Sequence, residues 1–167
     1  MFGINSIDAK NKDEFYKELN MYLTGLIDEE NDWLADLANA SALLYMLMPD
    51  INWAGFYLYK NGELILGPFQ GKPACVRIAL GKGVCGTAAK TREIQLVKDV
   101  NEFPGHIACD AASKSEIVIP IIKDDDLIGV LDIDSPIKAR FDEEDARGLK
   151  SFVDILNQHI NWPEQFI

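Results

Sequence analysis

Residues 51–69 read INWAGFYLYKNGELILGPF, two apolar runs of strand length that meet at Asn61-Gly62. Asn-Gly in that setting is the strongest short-range signal for a two-residue β-hairpin, because both turn positions need a positive φ. A hairpin here makes an antiparallel sheet the frame of the chain. Residues 116–122 (EIVIPII) and 127–134 (LIGVLDID) repeat the arrangement across an acidic turn at 123–126. ACVRIAL (74–80) reads as a further strand and EIQLV (93–97) as a short one, so five to six strands are expected, mostly antiparallel.

Helical periodicity flanks this sheet. Phe15, Leu19, Tyr22, Leu23 and Leu26 recur at helical spacing, and Gly25 with the following DEEN marks a break. Asn31 is placed to cap a second helix, whose stripe of Leu34, Leu37, Leu44 and Met48 ends at Pro49. At the other end, Asp142 caps a helix with an acidic first turn and a stripe of Leu149, Phe152, Val153 and Leu156. The expectation is an α+β fold in two or three layers, with helices over about 12–48, sheet and loops over 51–134, and a closing helix over 142–160. With no repeat, linker or low-complexity stretch, the 167 residues are read as one domain.

Charge narrows the function. The 27 acidic and 16 basic residues give a net charge of −11, which argues against a nucleic-acid or anionic-membrane partner. The N-terminal MFGINSIDAKNKDEF lacks the basic and apolar regions of a signal peptide, and no apolar run reaches membrane-span length. The expected location is the cytoplasm, where structural disulfides are rare.

Strand alternation nominates a site. Trp53, Gly55 and Tyr57 fall on one face of their strand. Asp132 and Asp134 share a face at the end of the last strand, after Ile128 and Val130. A hairpin turning over Asp124-Asp125 brings Glu116 opposite the region 132–134, although a one-residue slip in register would undo this. Three carboxylates that close repel one another, so one must titrate high or meet a cation. A protonated carboxyl can act as a general acid, and an ionised one can hold an ammonium group. Aromatic walls over an acidic floor suit a small ligand with an amine at one end. The alternative is plain: core aromatics and solvated strand ends.

The chain has three cysteines. Cys75 alternates with Arg77 in the third strand, so both should point the same way. Cys85, in GKGVCGTAAKT, falls in the first turn of a short helix, where the helix dipole would favour a thiolate. Cys109 lies in the small-residue loop GHIACDAASKSE, with His106 and Lys114 as candidates for lowering its pKa. Gaps of ten and twenty-four residues match no usual zinc pattern, and with only His106 and His159 no metal site is expected. No cofactor motif is present either, since the glycine-rich stretch lacks the phosphate-loop order. Three inert, buried cysteines remain the ordinary outcome.

Four segments carry a resemblance: NWAGFYLYKNGELILGPFQGKPACVRIALGKGVCGTAAKT, PGHIACDAASKSEIVIPI, LIGVLDIDSP and FDEEDARGL. Together they resemble the free methionine-R-sulfoxide reductases, enzymes of the GAF fold. The last segment is common to GAF domains at large; the three cysteines with their flanks are specific to the reductases. The resemblance implies that Cys109 is the catalytic cysteine, Cys75 the resolving cysteine and Cys85 an auxiliary one. It makes Trp53 and Tyr57 the wall around the methyl sulfoxide, and Glu116, Asp132 and Asp134 the carboxylates that hold the substrate and assist its chemistry. The implied reaction is thioredoxin-dependent reduction of free L-methionine (R)-S-oxide, with Glu116 the first choice of proton donor and Asp134 the next. Two rivals share the fold or the cysteines: a GAF module that only senses a small ligand, and a thiol peroxidase or redox sensor. The amphipathic N-terminal helices are candidate surfaces for a homodimer.

Overall fold

A computed structural model describes residues 3–27, 32–106 and 110–164. The first helix, α1 (Lys12–Ile27), runs through Gly25 rather than breaking there. Helix α2 (Trp33–Leu47) follows; Asn31 lies outside the described residues, and Asp32 makes the cap, accepting from the backbone N–H groups of Leu34 and Ala35. The strands are β1 (Trp53–Lys60), β2 (Glu63–Gly71), β3 (Arg77–Ala79), β4 (Gln95–Val97), β5 (Ser115–Lys123) and β6 (Asp126–Ser135). Helix α3 (Gly83–Thr91) sits between β3 and β4, and α4 (Glu143–His159) follows β6. The six strands form one antiparallel sheet in the order β3-β2-β1-β6-β5-β4.

Both hairpin turns carry the backbone their residues suggest. Asn61 and Gly62 have φ of 53° and 87°, and Asp124 and Asp125 have φ of 50° and 69°. These are the left-handed pairs that match the strands' own twist. Alternation then divides the apolar residues between two cores. Ala54, Phe56, Leu58, Ile117, Ile119, Leu131 and Ile133 pack against α1, α2 and α4. Trp53, Tyr57, Val118 and Val130 face the other way, with Val84, Cys85 and Ala88 of α3. The result is three layers. Asp142 caps α4 and forms a reciprocal capping box with Asp145. The buried Asp145 also accepts from Tyr16 of α1 at 2.7 Å and pairs with Lys12, tying the first helix to the last.

Two features depart from simple alternation. Cys75 lies before β3, in the loop that follows β2, so it does not share a strand face with Arg77. Pro73 removes a backbone donor there, which breaks the strand's hydrogen-bond ladder. The second departure is in the β5–β6 hairpin. Near the turn Ile122 pairs with Leu127, but Ile121 pairs with Gly129, leaving Ile128 as a bulged residue. Ile128 therefore packs in the helix-side core, on the face opposite Val130 rather than the same one. From the bulge onward the register places Glu116 opposite Asp134 and Val118 opposite Asp132.

Gly129 ends the bulge against the middle of β1. A Cβ there would lie 2.2 Å from the Tyr57 carbonyl oxygen and 3.0 Å from Leu58 Cα. Both are backbone atoms that cannot swing aside. Gly129→Ala is therefore expected to destabilise the fold by about 1–3 kcal/mol, read as a lower urea midpoint. An unchanged midpoint would show that β1 and β6 can separate to accept a methyl group.

Candidate active site

On the side of the sheet away from α1, α2 and α4, one cavity gathers residues from β1, β3, β5 and β6, from α3 and from the loops. Trp53, Tyr57, Cys85, His106, Asp110, Ser113, Glu116, Asp132 and Asp134 line it. Direct cross-strand partners share a face. Trp53 opposite Asp134, Gly55 opposite Asp132, and Glu116 opposite Asp134 thus put the aromatic pair and the three carboxylates on one surface, as alternation predicts. Cys109 lies outside the described residues, but its neighbours in the chain, His106 and Asp110, line the cavity.

The aromatic wall is stacked and anchored. Trp53 stacks on Tyr57 with centroids 6.0 Å apart and on Phe69 at 5.1 Å. The Trp53 indole donates to the Lys72 carbonyl at 3.1 Å, and the Tyr57 hydroxyl donates to the Cys75 carbonyl at 2.9 Å. The two ends of the Cys75 segment are thereby held to the wall. Cys75 itself is half-buried.

The floor is electrostatically loaded. Glu116 and Asp132 are 5% and 6% exposed. Burial raises the Asp132 carboxyl from its ordinary value to about 6, against the opposing effect of hydrogen bonds with Cys85 and Glu116. Two carboxyls hydrogen-bond to each other only when one keeps a proton, so Glu116 and Asp132 behave as a proton-sharing pair. Asp134 is held well above the carboxylate range, first by burial and then by the charge of Asp132, although Ser113 donates to it. His106 Nε2 stands 3.7 Å from a Glu116 oxygen, and burial lowers the imidazole pKa, so near neutral pH this is a contact of a neutral ring rather than an ion pair.

Cys85 occupies the first turn of α3, but not as a thiolate site. Burial raises its thiol pKa well above the usual value, and the charges of Asp132 and Glu116 push it further. The helix terminus is outweighed by two carboxyls at the thiol's side. Its Sγ lies 3.9 Å from a Glu116 oxygen.

Alternation does not reach the loop residues that complete the site. Asn52 donates to Asp110 at 3.2 Å and to Ser113 at 3.0 Å, and Lys72 reaches Asp110 at 3.2 Å. These contacts pin the chain just after Cys109. The position of Asp110 beside Cys109 was the only sequence sign of its role. Lys114 is exposed and does not line the cavity; its backbone N–H donates to the Ser135 carbonyl instead.

The raised Asp132 carboxyl has a measurable consequence. The folded protein holds that proton more tightly than the unfolded chain, so this group's stabilising effect is greatest below pH 4 and is lost as pH rises through about 6. Above that range the buried charge costs on the order of 3 kcal/mol. Asp132→Asn should therefore melt at a higher temperature than the parent at pH 8, with the advantage gone by pH 4. A variant less stable at both values would mean that the Asp132 carboxylate is compensated in the folded state.

Comparison with known proteins agrees with this geometry. The GAF domain model matches residues 28–160. The free methionine-R-sulfoxide reductase of Escherichia coli is 57% identical over 143 residues, covering 86% of this chain and 87% of its own length. A solved free methionine-R-sulfoxide reductase from Neisseria meningitidis, in complex with its substrate, is 42% identical with a TM-score of 0.88 over 92% of each chain. A solved putative GAF sensor protein from Burkholderia vietnamiensis is 56% identical with a TM-score of 0.87, covering 90% of this chain and 96% of its own. With this fold, and with that identity along nearly its whole length, the chain belongs to the GAF family and, within it, to the free methionine-R-sulfoxide reductases.

Proposed function

We propose that this protein reduces free L-methionine (R)-S-oxide to L-methionine. The observation that carries the reading is the cavity itself, in which a stacked Trp53–Tyr57 wall faces the buried carboxyls of Glu116 and Asp132 and the half-buried carboxyl of Asp134. The aromatic faces take the methyl sulfoxide end, and ionised carboxylate takes the α-ammonium group. An ammonium is available only in the free amino acid, which separates this substrate from a peptide-bound one. The named activity of the relatives supports the choice of sulfoxide and of epimer.

In this reading the Cys109 thiolate attacks the sulfoxide sulfur while a carboxyl protonates its oxygen. The oxygen passes to Cys109, so the substrate sulfur gains two electrons and leaves as methionine, and Cys109 becomes a sulfenic acid. Cys75 then displaces water from the sulfenic acid and forms a disulfide. An external dithiol of the thioredoxin type reopens it by exchange and is itself oxidised. The proton comes from the Glu116–Asp132 pair, with Glu116 as the delivering group and Asp134 as a second reservoir. Cys85, a protonated thiol beside both carboxyls, contributes to binding rather than to the first attack.

The reaction is assigned to the cytoplasm; no helix among the described residues is long and apolar enough to cross a membrane. The exposed apolar residues of α2, Leu34, Tyr45 and Met46, supply a face for a second copy of the chain, and light scattering of Leu34→Glu against the parent tests that pairing.

Turnover is tested with thioredoxin, thioredoxin reductase and NADPH. Oxidation of NADPH should require the free R epimer, fail with the S epimer and with peptide-bound sulfoxide, and vanish in Cys109→Ser. In Glu116→Gln, kcat should fall by roughly 10²–10⁴-fold, while oxidation of Cys109 by peroxide stays within about threefold of the parent, a change small on the tenfold-per-1.4 kcal/mol scale. Equal loss of both reactions would remove Glu116 from the proton transfer. A protein that binds the sulfoxide without turnover would be a sensor.

A further inference from the structure

Cys85 is the member of the cavity that the proposed reaction uses least, yet it is buried against two carboxyls. Its sulfur, a Glu116 oxygen and an Asp132 oxygen all lie within 4.8 Å of one another, and all three residues are buried. They come from α3, β5 and β6, at positions 85, 116 and 132, so no spacing in the sequence announces them. Cys85 Sγ and Glu116 Oε1 are 3.9 Å apart. Tetrahedral zinc with bonds of about 2.3 Å to sulfur and about 2.1 Å to oxygen would separate such atoms by about 3.6 Å. A few tenths of an ångström of closure brings them to that value.

A separate observation points to a bound positive group. Asp132 is 6% exposed and lines the cavity, and its Oδ1 accepts no hydrogen bond. A buried carboxylate oxygen without a donor is a place for a ligand. An ammonium ion answers that oxygen but leaves the thiol unused. A thiophilic cation uses both. His106 Nε2 lies outside this three-residue cluster, 3.7 Å from the other Glu116 oxygen, and its side chain must move inward to serve as a fourth ligand.

We propose that Cys85, Glu116 and Asp132, with His106 completing the set, form an inhibitory binding site for a thiophilic divalent cation of the zinc type. One sulfur, one imidazole nitrogen and two carboxylate oxygens suit zinc and its neighbours; calcium and magnesium call for six or more oxygens. Binding releases the Cys85 thiol proton to solvent, and the thiolate, with the ionised carboxylates, then neutralises the ion. The cation and the substrate's ammonium group claim the same carboxylates, so occupancy by one excludes the other. The competition rests on the substrate reading above; the metal site does not.

Cobalt(II) is the probe, added without oxygen to the reduced protein. Expected are one equivalent bound, a thiolate-to-cobalt charge-transfer band in the near ultraviolet and the visible bands of a four-coordinate ion, with displacement by zinc. The bands should persist in Cys75→Ser/Cys109→Ser and vanish in Cys85→Ser, and zinc affinity measured against a chromogenic chelator should fall at least tenfold in Asp132→Asn. Bands that survive in Cys85→Ser, or disappear in the double variant, would overturn the site by placing the metal on the redox pair. Should Cys85→Ser fail to fold, the double variant alone decides: it must bind one cobalt with a thiolate band, and absence of that band overturns the proposal. Free methionine-R-sulfoxide should displace cobalt from the double variant, which cannot turn over. Cys85-dependent bands that the sulfoxide leaves untouched would sustain the metal site and overturn the substrate reading.

Discussion

The site depends on one extra residue in a hairpin. Around the turn of 124–125, pairing begins with Lys123 opposite Asp126 and Ile122 opposite Leu127. Continued without interruption, that register would put Glu116 opposite Ile133. Glu116 would then join the helix-side core, and the two aspartates would remain alone on the other face. Ile128 bulges out and advances β6 by one residue, so Glu116 meets Asp134 instead. Because side chains alternate with a period of two, a single inserted residue moves a whole face. A β-bulge thus decides whether this sheet carries three carboxylates together or apart.

Bringing them together is costly, and the rest of the molecule is built to bear it. The floor of the cavity buries Glu116 and Asp132 beside the Cys85 thiol. The strain is relieved by keeping protons: Asp132 titrates near 6, and Asp134 and Cys85 are pushed well above their ordinary values. The opposite face of the same strands carries an apolar core packed under three helices, with Phe56, Ile117, Ile119, Leu131 and Ile133 at 0% exposure. That core fixes the strands so that the carboxyls cannot drift apart to escape one another. A proton retained because its neighbours repel a charge is a proton available to a substrate oxygen.

Much of this was legible in the letters, and the failures have definite causes. Alternation placed Trp53, Tyr57, Asp132 and Asp134 on one face, the turn pairs Asn61-Gly62 and Asp124-Asp125 located both hairpins, and Asp142 announced the α4 cap. The bulge was not legible, because Leu127-Ile128-Gly129 reads as an uninterrupted strand, and only close packing against the Tyr57 carbonyl marks Gly129 as special. Cys75 looked like part of a strand because ACVRIAL is apolar; Pro73 and the pull of Tyr57 on the Cys75 carbonyl hold it in a loop. The position of Cys85 at a helix start was read correctly, but its raised pKa follows from burial and then from carboxyls 47 and 31 positions away, which local reasoning does not see. Lys72, Asn52 and Asp110 were missed for the same reason: their contacts span 38 to 61 residues or join loops that have no periodicity.

The aromatic wall does more than bound the cavity. Through its indole N–H and phenol O–H, the stacked pair holds the carbonyls of Lys72 and Cys75, while the Lys72 side chain reaches Asp110. The segment that carries one cysteine and the residue that follows another are therefore fastened to the surface a ligand would touch. In the proposed reaction, the Cys75 segment and the residue after Cys109 are joined to one surface by contacts rather than by sequence proximity, since Cys75 and Cys109 are 34 residues apart. A GAF sheet that only sensed its ligand would have no need to tether cysteine-bearing loops to its aromatic wall.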